Sequence, residues 1–238
     1  MKIVSRNNAT IKRLMELKTK KGRREQQCFL IEGYHMVAMA KELGLLKEVY
    51  TLKEEKDYPS AIELSEEVMK KISYAETPQG IIGVVPFLKK EVGKSHRILY
   101  LDGVSDPGNM GTLLRTAAAF GYEIWLSSDC VDLYNEKVIA STQGAIFLVP
   151  FAKKGWQDVE EKKKEGFEVY VTSLHQARDM EETSSPEKLI LVLGNEAHGV
   201  SQEALQHASK TIRIPMKEME SLNVAVAGGI TMYHYMQK

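Results

Sequence analysis

The sequence has only two cysteines, Cys28 and Cys130, in segments far apart. Two thiols exclude a disulfide framework and a cysteine-based zinc site, and they fit a chain that works in the reducing cytoplasm. Long apolar runs are also missing. None approaches the roughly 18 residues that a membrane-spanning helix needs. The opening, MKIVSRNNAT, lacks the apolar stretch of a secretory signal. Six histidines, His35, His96, His175, His198, His207 and His234, show no metal-ligand spacing, so no metal is expected. Net charge is absent too, 32 basic residues balancing 32 acidic ones. Taken alone, that neutrality speaks against a nucleic-acid partner.

The neutral sum conceals a gradient. Residues 1–24 carry nine cations against Glu16, a balance of +8. Residues 1–93 hold 17 basic and 13 acidic groups, or +4, and residues 94–238 hold 15 and 19, or −4. A composition shift at PFLKKEVGKSHR, residues 86–97, separates two apolar runs and reads as an interdomain linker. The domains expected are 1–90 and 91–238.

The front domain reads as α/β. Helices are expected over 8–20, 34–43 and 60–71, and strands over 29–31, 48–52 and 81–85. The rear domain alternates more strongly. Strands are expected over 97–101, 123–126, 147–150, 168–171, 189–193 and 211–214, and helices over 109–120, 135–141, 155–165, 201–206 and 223–236. Continuous apolar runs such as LILVLG suit a parallel sheet buried on both faces, so this part reads as a doubly wound α/β domain with a mostly parallel sheet.

Ligands of such sheets sit at the carboxyl ends of the strands. Three loops occupy those places. LDGVSDPGNMGTLLRTAAAFG, residues 101–121, is a tight turn that opens a helix, capped by Asn109 or Thr112, with Arg115 one turn in. A guanidinium there offers a forked donor set to a phosphate or carboxylate. LVLGNEAHGVS, residues 191–201, holds Gly194 and Gly199, which allow close approach to main chain. IPMKEMESLNVAVAGGITMYHY, residues 214–235, places Ser221 and Asn223 just before a helix rich in small residues. Neither a dinucleotide fingerprint nor a Walker loop is present. His198 reads as a solvated loop residue, and the Lys162–Lys164 run as a solvated helix face.

Together the three loops resemble the motifs of the SpoU (TrmH-type) branch of the SPOUT RNA methyltransferases. Asn109-x-Gly111-x-x-x-Arg115 is similar to motif 1, Gly194-Asn195-Glu196 with Gly199 to motif 2, and Ile214-Pro215-Met216 with Glu220-Ser221-Leu222-Asn223-Val224 to motif 3. At the front, Ser5-Arg6-Asn7 with Ile11-Lys12, Phe29-Leu30-Ile31-Glu32-Gly33 and Gln79-Gly80 resemble an L30e-like substrate-binding domain. Ala197 departs from the pattern, standing where many members have a second glycine.

The resemblance implies methyl transfer from S-adenosylmethionine to a ribose 2′-hydroxyl of structured RNA. It implies a C-terminal trefoil knot, which general topology rules would not have drawn, and a homodimer through the C-terminal domain. It gives the cofactor contacts to Thr172, Gly194, Ile214 and Leu222. It gives the chemistry to Asn109, Arg115, Glu196, Ser221 and Asn223, with Arg115 standing where the family's proposed base stands, Glu196 pairing with an Arg, Asn109 and Asn223 fixing ribose or Arg115, and Ser221 bonding near the nucleophile. An arginine side chain stays protonated in proteins, so positioning suits Arg115 better than proton abstraction. The basic segment then becomes the RNA-gripping candidate, through Arg6, Lys12, Arg13, Lys20, Lys21, Arg23 and Arg24. Large-subunit ribosomal RNA is the expected substrate. Transfer RNA and a non-catalytic ribosome-assembly role are the competing readings.

Overall fold

The computed structural model describes residues 2–174 and 176–236; His175, one of the six histidines considered above, lies outside them. In chain order the elements are β1 (Lys2–Ile3), α1 (Ala9–Glu16), α2 (Lys20–Gln26), β2 (Cys28–Glu32), α3 (Tyr34–Glu42), β3 (Glu48–Thr51), β4 (Ile62–Leu64), α4 (Glu66–Ile72), β5 (Ile81–Pro86), β6 (Arg97–Asp102), α5 (Pro107–Phe120), β7 (Glu123–Leu126), α6 (Glu136–Thr142), β8 (Phe151–Lys153), α7 (Trp156–Lys164), β9 (Glu168–Thr172), β10 (Arg178–Asp179), β11 (Leu189–Gly194), α8 (Gln202–His207), β12 (Lys210–Arg213) and α9 (Val224–His234). They group into two compact units. One is the chain up to Lys89 with Asp132–Phe147, and the other is Lys90–Val131 with the chain from Leu148 onward.

The first unit is a sheet in the order β1-β4-β3-β5-β2, parallel from β1 to β3 and antiparallel around β5. Ile11, Leu14 and Leu17 from the first helical segment and Val68, Met69 and Ile72 from α4 bury one face against Leu30, Tyr50, Leu64, Ile82 and Val84. The single helix expected over 8–20 is two. The Thr19 hydroxyl accepts from Gly22 N at 3.0 Å and starts α2. The turn is close enough that a Cβ on Gly22 would fall 2.2 Å from Glu16 O. The helix expected over 60–71 also divides. Ile62 and Leu64 alternate as a strand, and Ser65 caps α4 through Val68 N.

Residues 132–147, expected with the rear domain, complete this first unit. Tyr134 stacks on Phe87 with ring centroids 4.1 Å apart, and Phe29 lies at 4.7 Å. The Arg23 guanidinium, only 4% exposed, donates to Leu17 O, Lys18 O and the Asp132 carboxylate at 2.7 Å. Removing one partner of such a pair strands a buried charge. Asp132→Ala is therefore expected to lower unfolding stability by about 3 kcal/mol, measured by denaturant titration.

The second unit is a sheet in the order β10-β12-β9-β11-β6-β7-β8, with every pair parallel. Ile98, Tyr100, Ile190 and Val192 pack under Val159 of α7 and Ala204 of α8. Successive strand residues alternate faces, so Leu193 points the other way, toward α9. There a Cβ on Gly228 would meet Leu193 Cδ1 at 2.8 Å and Leu113 Cδ2 of α5 at 2.4 Å. Helices thus cover both faces, as the apolar runs require. The strand expected over 147–150 is displaced. Ala145–Phe147 is a short 3-10 helix, and the strand is β8. Among the described residues, no helix is long and apolar enough to cross a membrane.

Candidate active site

β6 and β11 are neighbours in register, Gly194 opposite Asp102, so the loops that leave their carboxyl ends meet. Gly103 takes φ +78° and donates its N–H to the Ser127 hydroxyl at 3.0 Å. The cap of α5 is Asp106, not Asn109 or Thr112. Its carboxylate accepts from Asn109 N at 2.8 Å, with Pro107 in the first turn. Asn109 is left free to use its side chain elsewhere.

The β11 loop closes on itself. Asn195 and Gly199 exchange backbone hydrogen bonds at 2.8 and 2.9 Å. A Cβ on Gly194 would lie 2.2 Å from the Gly199 carbonyl carbon, so the fold here admits only glycine. Asn195 Nδ2 donates to Gly103 O at 2.8 Å, and its Oδ1 accepts from the N–H groups of Ala197 and His198. Ala197 needs no glycine: among the described residues, positive φ without glycine occurs only at Gln27, Gln143 and Gln176. His198 is exposed.

Glu196 ties the loops together. One carboxylate oxygen accepts from Ser105 N and Ser105 Oγ, both at 3.1 Å; the other accepts from Asp106 N at 3.0 Å and Asn109 Nδ2 at 3.1 Å. Burial alone would raise its pKa. The donors from Asn109 and from the backbone of Glu196, Ser105 and Asp106 outweigh that and hold it at about 2. The expected arginine partner of Glu196 is thus replaced, within this chain, by Ser105, Asp106 and Asn109.

The third loop joins through Asn223, which caps α9. Its Oδ1 accepts from Ala225 N at 2.9 Å and Val226 N at 3.3 Å, and its Nδ2 donates to Asn109 Oδ1 at 2.9 Å. Every amide orientation follows. The helix N–H groups fix Asn223 Oδ1, so Asn223 must offer nitrogen to Asn109, and Asn109 must then offer its own nitrogen to Glu196. Glu196 must be an ionised acceptor. Three of the five residues expected to carry chemistry therefore form one chain, Glu196–Asn109–Asn223. Arg115 and Ser221 stand outside it, both exposed, and among the described residues neither side chain has a hydrogen-bond or ion-pair partner.

The residues expected to hold the cofactor lie together. Thr172 and Gly194 end the adjacent strands β9 and β11, and Ile214 follows the end of β12, which pairs with β9. Thr172 Oγ1 is held by Val192 O at 3.0 Å. Leu222, 38% exposed, directly precedes Asn223. Among the described residues, nothing hydrogen-bonds to positions 215–222, so the polar backbone of that loop is open to a ligand. Open main chain, flanked by Ile214 and Leu222 beside a Gly194 that leaves room for nothing larger, fits a small cofactor gripped by backbone. Among the described residues, no cluster of three or more His, Cys, Asp or Glu side chains is placed to hold a metal.

Residues 96–233 match the model of the SpoU rRNA Methylase family, and residues 8–83 match that of the MRM3-like substrate binding domain. The chain belongs to the SpoU family. Along 98% of its length it is 36% identical to the 23S rRNA (guanosine(2553)-2'-O)-methyltransferase RlmP of Bacillus subtilis, covering 98% of that protein. An rRNA methyltransferase from Sinorhizobium meliloti superposes with a TM-score of 0.89 at 27% identity, covering 99% of this chain and 96% of that one. The AdoMet-bound form of the S. meliloti enzyme gives 0.86 at 27% identity, covering 99% and 97%. This SpoU protein is an S-adenosylmethionine-dependent RNA methyltransferase.

The SpoU motifs pointed to Asn109, Glu196 and Asn223 but not to Ser105 or Asp106, which hold Glu196 in place. Their only signal was position: both sit inside the same turn, LDGVSDPGN. The basic segment is only partly free to meet RNA. Arg23 is buried and spent on Asp132. Arg13 is half-buried against Glu48 at 2.5 Å and Tyr50. Neither is free for phosphate. Lys12, Lys20 and Arg24 are exposed, and among the described residues none pairs with a carboxylate. Lys21 reaches Glu25 only at 3.8 Å, and Arg6 pairs with Glu67 at 2.9 Å, both on the surface.

Proposed function

We propose that this protein methylates a ribose 2′-hydroxyl of large-subunit ribosomal RNA. The observation that carries this reading is the Glu196–Asn109–Asn223 chain, which joins all three SpoU motifs at the strand ends, together with full-length likeness to a 23S rRNA 2′-O-methyltransferase. When bound, S-adenosylmethionine supplies an electrophilic methyl group on a sulfonium. Thr172, Gly194, Ile214 and Leu222 hold it. Arg115, with its fork of donors unspent, orients an RNA phosphate and the 2′-hydroxyl, and Ser221 accepts or donates one hydrogen bond beside them. The proton lost from the hydroxyl passes to the RNA phosphate that Arg115 holds, and from there to solvent water; it does not go to Glu196, whose lone pairs are already filled and whose acidity makes it a poor base. Catalysis on this reading is positioning. The test is transfer of labelled methyl from S-adenosylmethionine to protein-free and particle-bound large-subunit RNA, with the product read as a linkage resistant to alkali. Product at a base nitrogen would refute it.

RNA is gripped by the L30e-like front unit through its free cations. Lys12→Ala, Lys20→Ala and Arg24→Ala combined are expected to weaken RNA binding and to reduce the slope of log affinity against log salt by roughly two. Binding measured at several salt concentrations checks this, and cofactor affinity stays unchanged.

The rear unit forms a homodimer. Val226, Ile230 and Tyr233 stand at helical spacing on α9, 51%, 37% and 63% exposed, a stripe too apolar for open solvent. Ile230→Asp is expected to give monomers in sedimentation while the far-UV spectrum is retained. The trefoil knot is supported by the path of the chain. It leaves β11, passes beyond β9 to β12, and returns across the strand ends to α9, which packs on α5 and β11. A cytoplasmic setting suits the two free, buried cysteines.

A further inference from the structure

Residues 215–222 carry Leu222 and Ser221, yet nothing among the described residues hydrogen-bonds to them. The shape of that loop is therefore set by its two anchors. One is β12, laddered between β9 and β10. The other is α9, whose 11 residues span about 16 Å. That is close to the length of the six-residue strand β6. The helix starts at the carboxyl end of the sheet, where Asn223 bonds Asn109, and finishes at the amino end.

At that far end lies a buried polar socket. Arg97, the first residue of β6, is 5% exposed. Its Nε donates to Tyr235 O, the carbonyl that ends α9, at 2.8 Å. Its other nitrogens donate to Glu187 O at 2.8 Å, His96 O at 3.3 Å and Ser185 Oγ at 3.2 Å. Tyr235 is fully buried. Its hydroxyl meets Thr183 Oγ1 and donates to Met180 O at 3.3 Å, and its ring packs edge-on to Tyr170 at 5.5 Å. Tyr122 adds a hydroxyl to Met232 O at 3.3 Å. A guanidinium at a helix carboxyl end satisfies open carbonyls and complements the helix dipole. Few side chains could replace it in a site that offers carbonyls in several directions at once.

We propose that Arg97 is a positioning residue for cofactor binding: from the amino end of the sheet it fastens the last helix, and so sets the loop that grips S-adenosylmethionine. It touches neither cofactor nor RNA. It acts by keeping α9 seated, which fixes where Asn223, Leu222 and Ser221 stand. This rests on the cofactor reading given above.

The test uses the full chain. Arg97→Met keeps the length of the side chain and removes every donor. Its expected effect is cofactor affinity weaker by about tenfold, with KM for S-adenosylmethionine rising in step and kcat at saturating cofactor falling by less than KM rises. Amide exchange over residues 224–235 should quicken, and Arg97→Lys should restore part of the affinity. Unchanged affinity in folded Arg97→Met overturns the proposal, as does a fall in kcat with KM unmoved. If Arg97→Met does not fold, Thr183→Val with Ser185→Ala loosens the same socket, and it decides by the same measurement: weaker cofactor binding supports the proposal and unchanged binding overturns it. Failure of the parent protein to bind S-adenosylmethionine would instead remove the cofactor reading on which the proposal rests.

Discussion

Replacing Arg115 by alanine is expected to cut methyl transfer by about 10³-fold while leaving cofactor affinity within a factor of two. The hydrogen bonds of the site leave Arg115 the group best able to act on substrate. Glu196 has both oxygens filled by four donors, the Asn109 oxygen accepts from the Asn223 nitrogen, and the Asn223 oxygen is committed to the helix. Only Arg115 and Ser221, of the five, bring wholly unspent groups to a substrate. Arg115 alone brings charge, and its planar fork can hold a phosphate and a neighbouring hydroxyl in one arrangement. Arg115→Lys keeps the charge but loses the fork, so its rate should fall nearer to alanine than to the parent. Single-turnover rates at saturating cofactor, with cofactor binding measured separately, check both variants. Near-normal turnover in Arg115→Ala would remove Arg115 from the chemistry.

Glu196→Gln is expected to be nearly as damaging, for a different reason. An amide offers one acceptor and one donor group where four donors now converge. Its NH2 would face the N–H groups of Ser105 or Asp106, or force Asn109 to turn and set nitrogen against the Asn223 nitrogen. The loops should loosen, with turnover lower by roughly 10²-fold and cofactor binding weakened as well. The dependence on pH has a definite sign. The carboxyl sits at about 2 in the folded chain and near 4.3 when unfolded. Its stabilisation is complete above the unfolded value and drains as pH falls toward 2. Parent and Glu196→Gln should therefore differ most in melting temperature near neutrality and converge toward pH 2. Glu196 is partly open to solvent, so the difference in stability is modest and shrinks with salt.

The two units were legible to different degrees. In the rear unit the apolar strands and their order along the chain were plain, because strands buried on both faces read as continuous runs such as Leu189–Leu193. Near the edge of that sheet the signal failed. Phe147 and Val149 are apolar because they are buried, yet they form a 3-10 turn and a connection, and the edge strand is the more polar Phe151–Lys153. In the front unit, local patterns misled where tertiary partners decide. Lys20–Arg24 read as an RNA-gripping basic run, but Arg23 turns inward to a carboxylate more than a hundred positions away. No periodicity in a single segment shows that. The site itself was half legible. The residue types at the strand ends were visible in order and spacing, whereas the direction of each hydrogen bond was not. Glu196 facing Ser105, Asp106 and Asn109 depends on β6 and β11 lying side by side, a pairing that the linear sequence does not state.

The central claim is methylation of a ribose 2′-hydroxyl in large-subunit ribosomal RNA, and a map of 2′-O-methyl sites tests it most directly. Total RNA from a deletion strain is compared with its parent, and with deletion strains carrying either the intact protein or Arg115→Ala. The account predicts that a large-subunit 2′-O-methyl site is lost on deletion, returns with the intact protein, and does not return with Arg115→Ala. An unchanged large-subunit map on deletion, or a lost site restored by Arg115→Ala, would contradict it.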